Sequence, residues 1–133
     1  MATMDPKEAA IRVEVPPRSD ALHLLRSVAA SVAARLSMPL DDVEELRIAV
    51  DEAATLLLEQ KSDGSPGPLE MELVSTDAGI HASLRLASVA SEDDLRASWP
   101  WRVISGVTQE ASIERADGRT TISFVKTAPG SDR

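Results

Sequence analysis

Cysteine is absent from the 133 residues, so the chain can form no disulfide and offers no thiolate to a metal. Its two histidines, His23 and His81, stand far apart in sequence and cannot make a zinc site on their own. With no disulfide framework to suit an oxidising compartment, a reducing, cytoplasmic setting is expected. Aromatic residues are scarce too. There is no tyrosine, one phenylalanine and two tryptophans, so the 43% of hydrophobic residues must build a core from Ala, Val, Leu and Ile. The opening MATMDPKEAA has no apolar stretch of signal-peptide length, and no uninterrupted apolar run is long enough to span a bilayer. The expectation is a chain that is neither exported nor embedded in a membrane.

Positive charge is the next shortage. Lys and Arg number 14 against 22 Asp and Glu, a formal net charge of -8, which opposes attraction to a phosphate backbone. No direct nucleic-acid partner is expected, and a basic protein partner is compatible with this charge. No internal repeat or low-complexity block is present, and the length suits one domain with one core.

What remains is a clear order of patterned segments. Ile11 to Val15, IRVEV, alternates apolar and polar residues as an edge strand does, and Pro16-Pro17 end it. Ser19 or Asp20 can cap a first helix in which Leu22, Leu25, Val28, Ala29, Val32 and Leu36 recur at helical spacing. Asp41 with Glu44 has the form of a capping box for a second helix reaching about Gln60, its stripe made of Val43, Leu46, Val50, Ala53 and Leu57. The breakers of KSDGSPGP, Lys61 to Pro68, read as a loop. Two alternating segments from Leu69 and Ile80, joined through Asp77-Ala78-Gly79, read as a hairpin.

A polar stretch from Ser88 then precedes a short third helix with Pro100 in its first turn and Val103, Ile104 and Val107 toward the core. Glu92-Asp93-Asp94 in that stretch is expected to be a solvated loop. Asp117-Gly118 between β-rich runs marks a second hairpin. Residues 11–127 are therefore expected to form the domain, with 1–10 and 128–133 as flexible ends. The predicted architecture is an α/β two-layer sandwich, a mostly antiparallel sheet with helices on one face.

This order, with LRIAVDEAATLLLEQ on the second helix, resembles the small ATP-binding fold shared by histidine kinases, the gyrase B subunit and Hsp90. Within it the likeness is to RsbW-type anti-sigma factors, serine kinases of bacterial stress and sporulation regulons. Their second helix carries a pattern like A-V-x-E-A-x-x-N, the Glu serving as general base and the Asn as magnesium ligand. Ala49, Val50, Glu52 and Ala53 match it, and Leu56 stands where the Asn belongs. RSDALHLLR, from Arg18, resembles the start of the family's first helix, where an Arg corresponding to Arg26 docks the sigma factor. Trp101-Arg102-Val103, ahead of a helix ending near Glu110, is most similar to divergent actinobacterial members. The likeness covers residues 11–127.

The resemblance implies an ATP site, and three parts of it depart from the pattern. Magnesium requires hard oxygen ligands, and Leu56 supplies none. LASVAS, Leu86 to Ser91, has neither the Asp nor the Gly expected where adenine is read, and RASWPWR, Arg96 to Arg102, has no glycine to bring backbone N–H groups to phosphates. The expectation is an anti-sigma factor that sequesters a sigma factor, is countered by an anti-anti-sigma protein, and holds a degenerate ATP site with no cofactor and no metal. Glu52 would then be a vestigial base, and Arg26, Ser19, His23 and Trp101 the partner-binding residues. Two alternatives stay open. One is an active kinase that uses ATP and magnesium to phosphorylate the anti-anti-sigma protein, and the other a regulatory module for a different partner. A homodimer is what the resemblance implies, and nothing in the composition shows it.

Overall fold

The structure, a computed structural model, describes residues 10–127, so the expected flexible ends lie outside the described residues except for Ala10. The chain runs β1 (Ile11–Val15), a 3-10 turn (Ser19–Ala21), α1 (Leu22–Arg35), α2 (Leu40–Glu59), β2 (Leu69–Thr76) and β3 (Gly79–Ala87). It continues through α3 (Glu92–Arg96), α4 (Trp99–Val107), β4 (Gln109–Ala116) and β5 (Arg119–Thr127). The five strands make one antiparallel sheet in the order β1-β2-β3-β5-β4. Alternation along each strand divides its faces. Leu69, Met71, Leu73, Ile80, Ala82, Leu84, Leu86, Ile122 and Phe124 point inward and are buried. Outward lie Arg12, Glu70, Glu72 and Arg85, joined by the pairs Arg12–Glu72 at 2.7 Å and Arg85–Glu70 at 3.0 Å.

The helices cover the inner face only. α2 is the central one and packs against both α1 and α4, burying Leu46, Ala49, Val50, Ala53, Ala54, Leu56 and Leu57. Each of its buried leucines contributes about 1.5 to 3 kcal/mol of transfer free energy, and the alanines let the neighbouring helices approach closely. This is the predicted α/β sandwich.

Local details differ from expectation in four places. Neither Ser19 nor Asp20 caps α1, because Ser19–Ala21 form a 3-10 turn and the helix begins directly from Ala21. Asp41 and Glu44 form no capping box. Pro39 precedes the first residue of α2, Asp41 lies inside its first turn, and Glu44 pairs with Arg47 at 2.9 Å. The stretch expected to be a solvated loop winds into α3, since Ser91 accepts a hydrogen bond from the Asp94 N–H at 3.1 Å and Leu95 anchors the turn in the core. The last helix stops at Val107 rather than near Glu110. There the Thr108 hydroxyl donates to the Ile104 carbonyl at 2.6 Å and the backbone turns extended to start β4.

Both hairpins form as expected. Asp117 and Gly118 have φ of 55° and 75°, the left-handed pair that a two-residue turn between twisted strands requires. Pro100 sits in the first turn of α4, behind Ser98, whose hydroxyl accepts from the Trp101 N–H at 3.3 Å.

Candidate functional site

Glu52 lies on α2 and is partly buried, and among the described residues no cation lies within ion-pair distance of it. Desolvation raises its pKa above the usual carboxylate value, and the negative charges of Asp51 and then Glu59 push it further the same way. Leu56, one turn on, is 2% exposed and belongs to the core cluster. Its side chain presents no oxygen, and among the described residues no three His, Asp or Glu side chains converge as metal ligands would.

Arg26 is held across the helix pair. Its Nη1 donates to Asp51 Oδ1 at 2.5 Å, with both side chains about a third exposed, so it joins α1 to α2 beside Glu52. Asp20, near the start of α1, lies 3.3 Å from Arg18. Ser19 and His23 are exposed at the start of the same hairpin. Ser19 lines a shallow groove with Leu22, Thr55, Leu58, Glu59 and Lys61. Trp101 is placed elsewhere. It sits on α4, on the other side of α2 from α1, packed against the core with the Arg96 guanidinium 5.6 Å from its ring centre. The residues expected to form one partner surface are thus split: Ser19, His23 and Arg26 share one flank, and Trp101 lies on the opposite one. Its neighbour Trp99 is 70% exposed.

Comparison with known proteins gives a fold. The chain is similar to the crystal structure of the RsbU and RsbW domains of Rv1364c from Mycobacterium tuberculosis, with a TM-score of 0.70 and 14% sequence identity over 90% of this chain. It spans 32% of that longer chain. No protein-family model matches the sequence, and no curated protein matches it. The architecture is therefore RsbW-like, and the relationship in sequence is distant.

Two inward-facing basic residues escaped the sequence reading. Lys126 Nζ lies 2.9 Å from Glu45 Oε1, 3.5 Å from Asp42 Oδ1 and 3.1 Å from the Val107 carbonyl, tying β5 to the start of α2 and the end of α4. Arg115 donates to the carbonyls of Ser88 and Ala90, pinning the segment between β3 and α3. Its Nε and the neighbouring Thr120 hydroxyl are buried, with no hydrogen-bond partner among the described residues. Alternation held the signal for both. Lys126 follows Ile122 and Phe124 at a spacing of two, and Arg115 follows Ile113, so each was due to face inward.

Proposed function

We propose that the chain is an anti-sigma factor of the RsbW type that works by binding in the cytoplasm, without nucleotide. It sequesters a sigma factor on the flank of the α1–α2 pair that carries Ser19, His23 and Arg26. An anti-anti-sigma protein competing for that flank releases it. The observation that carries the reading is Leu56. On the central helix of an RsbW-like fold, the position of the resembled family's magnesium ligand holds a leucine with 2% exposure. A catalyst of phosphoryl transfer depends on cation and backbone donors spread around the γ-phosphate. Leu56 offers no oxygen for a cation, and the approach to α4 has no glycine to let backbone N–H groups come close to a phosphate. Acidic Asp51, Glu52 and Glu59 around the flank favour a basic partner segment.

A second reading draws on Glu52, whose raised pKa suits a general base, in a chain that still phosphorylates a serine on the anti-anti-sigma protein. One experiment separates the two. The purified chain is titrated against the purified sigma factors of its own genome, with and without Mg-ATP, and its thermal unfolding is followed in parallel. The binding reading expects a complex that forms equally well without nucleotide, is weakened by Arg26→Ala, and no shift in unfolding with Mg-ATP. A ligand at about 100 times its dissociation constant adds about 2.7 kcal/mol, a shift of several degrees. A shift of that size that disappears in Glu52→Ala would favour the kinase.

A further inference from the structure

From Leu95 to Gln109 the chain holds both of its tryptophans, Arg96 and Arg102, and no acid. The structure gathers this stretch where α3 ends and α4 begins, on the side of α2 away from α1. In a chain with a net charge of -8 it is a local basic and aromatic surface.

Trp99 is 70% exposed, although tryptophan is highly buried in most folds. The backbone beneath it is fixed. The Ser98 hydroxyl donates to the Leu95 carbonyl at 2.6 Å and accepts from the Trp101 N–H at 3.3 Å, and Pro100 stiffens the first turn of α4. On either side of this turn Leu95 is buried and Trp101 packs against the core. The indole is thus held out toward solvent on a rigid support, so covering it with a partner orders little further chain. Tryptophan and arginine are the side chains that most often anchor protein interfaces.

The two arginines differ in how far they are engaged. Arg96 lies 5.6 Å from the Trp101 ring centre, donates to the Ile113 carbonyl at 3.3 Å and stands 4.0 Å from Glu92. Arg102, one turn beyond Trp99, is exposed and has no ion-pair partner among the described residues. Asp42 and Glu45, the acids that α2 brings toward the end of α4, are answered by Lys126 beside the Val107 carbonyl. An open guanidinium beside an exposed indole is complementary to a carboxylate beside an apolar pocket. We infer that the corner between α3 and α4 is a second docking surface, which takes an acidic segment of a protein partner with Trp99 as apolar anchor and Arg102 as charge contact. A nucleic-acid backbone is disfavoured, since two cations on a chain of net charge -8 offer it little. The corner lies across α2 from the flank of Ser19, His23 and Arg26 and has the opposite charge preference. The inference stands whether or not that flank takes a sigma factor.

The test is fluorescence anisotropy of three labelled probes titrated with the full chain. They are a short amphipathic peptide of Leu and Glu, the same peptide with every Glu replaced by Lys, and a single-stranded DNA oligonucleotide. The chain is used as wild type, Trp99→Ala, Arg102→Glu and Arg26→Ala, and thermal unfolding confirms that each variant is folded. The Leu and Glu peptide is expected to bind the wild type. Its dissociation constant is expected to rise about tenfold or more in Trp99→Ala and in Arg102→Glu, and to stay unchanged in Arg26→Ala. The Lys peptide is expected to be indifferent to Trp99→Ala and not weakened by Arg102→Glu. An acidic peptide that does not bind at millimolar chain, that binds both corner variants as it binds the wild type, or that is lost in Arg26→Ala would overturn the inference. So would a Lys peptide whose binding depends on Trp99, or an oligonucleotide that binds the corner more tightly than the acidic peptide.

Discussion

Glu52 feels three influences that all act in one direction. Desolvation is the largest, and Asp51 and Glu59 add to it, so the folded chain holds this proton more tightly than the unfolded chain does. A carboxyl whose pKa is raised on folding stabilises the fold only while protonated. Stability therefore falls as the pH climbs from the ordinary value of 4.5 through the raised one, and the penalty then stays constant. Glu52→Gln removes it. Its midpoint of thermal unfolding is expected to exceed that of the wild type at neutral pH, and the gain to shrink as the pH falls toward 4.5. A neutral-pH midpoint below the wild type would mean that the carboxylate is held by a favourable contact. Glu52 and Leu56 were legible in sequence because one helical motif contains both. The Arg26–Asp51 contact was not, since residues on two helices meet only once the packing of those helices is known. Lys126 was legible and overlooked, because a lysine near a strand end reads as solvated unless the alternation is followed through to it.

At the scale of elements, the turn between α1 and α2 carries the clearest local strain. The Ser37 N–H donates to the Ala34 carbonyl at 3.0 Å and the Met38 N–H to the Ala33 carbonyl at 3.2 Å, the paired bonds of a Schellman termination, with Met38 buried behind them. That motif needs its first residue beyond the cap in the left-handed region, and Ser37 is there with φ 57°. Serine bears a Cβ cost in that region that glycine does not. Ser37→Gly is expected to stabilise the domain by about 0.5 to 1 kcal/mol, because the relieved strain outweighs the extra entropy of glycine in the unfolded chain. Chemical denaturation with an unchanged slope would check it, and a loss of stability would show that the Ser37 side chain makes a favourable contact. Strands and long helices were readable because burial imposes a period on them. Their ends were read less well. Caps depend on where the chain arrives from, and the 3-10 turn before α1 displaced the expected cap, while Pro39 took the place beside Asp41.

For the molecule as a whole, charge is distributed with a bias that the net value of -8 understates. α2 carries Asp41, Asp42, Glu44, Glu45, Asp51, Glu52 and Glu59 against Arg47 alone. Lys126 neutralises part of its first turns through Asp42 and Glu45, and Arg26 answers Asp51. Glu59 is exposed and Glu52 is only partly buried, and neither has an ion-pair partner among the described residues, so the field toward solvent from the helical layer is negative. The outer face of the sheet is different, because Glu70 is shared by Arg85 and Arg119 at 3.0 and 3.1 Å and Glu72 by Arg12, leaving that face nearly balanced. Long-range attraction of a basic partner therefore works from the helical side. Its range is a Debye length, about 10 Å at 0.1 M salt and about 3 Å at 1 M. The association rate with the partner proposed above is expected to fall by about tenfold or more between low and high salt, with a much smaller change in the dissociation rate. Stopped-flow mixing at several ionic strengths would measure both rates. An association rate indifferent to salt would mean that the docking face lies away from α2, and would remove the electrostatic argument for a basic partner.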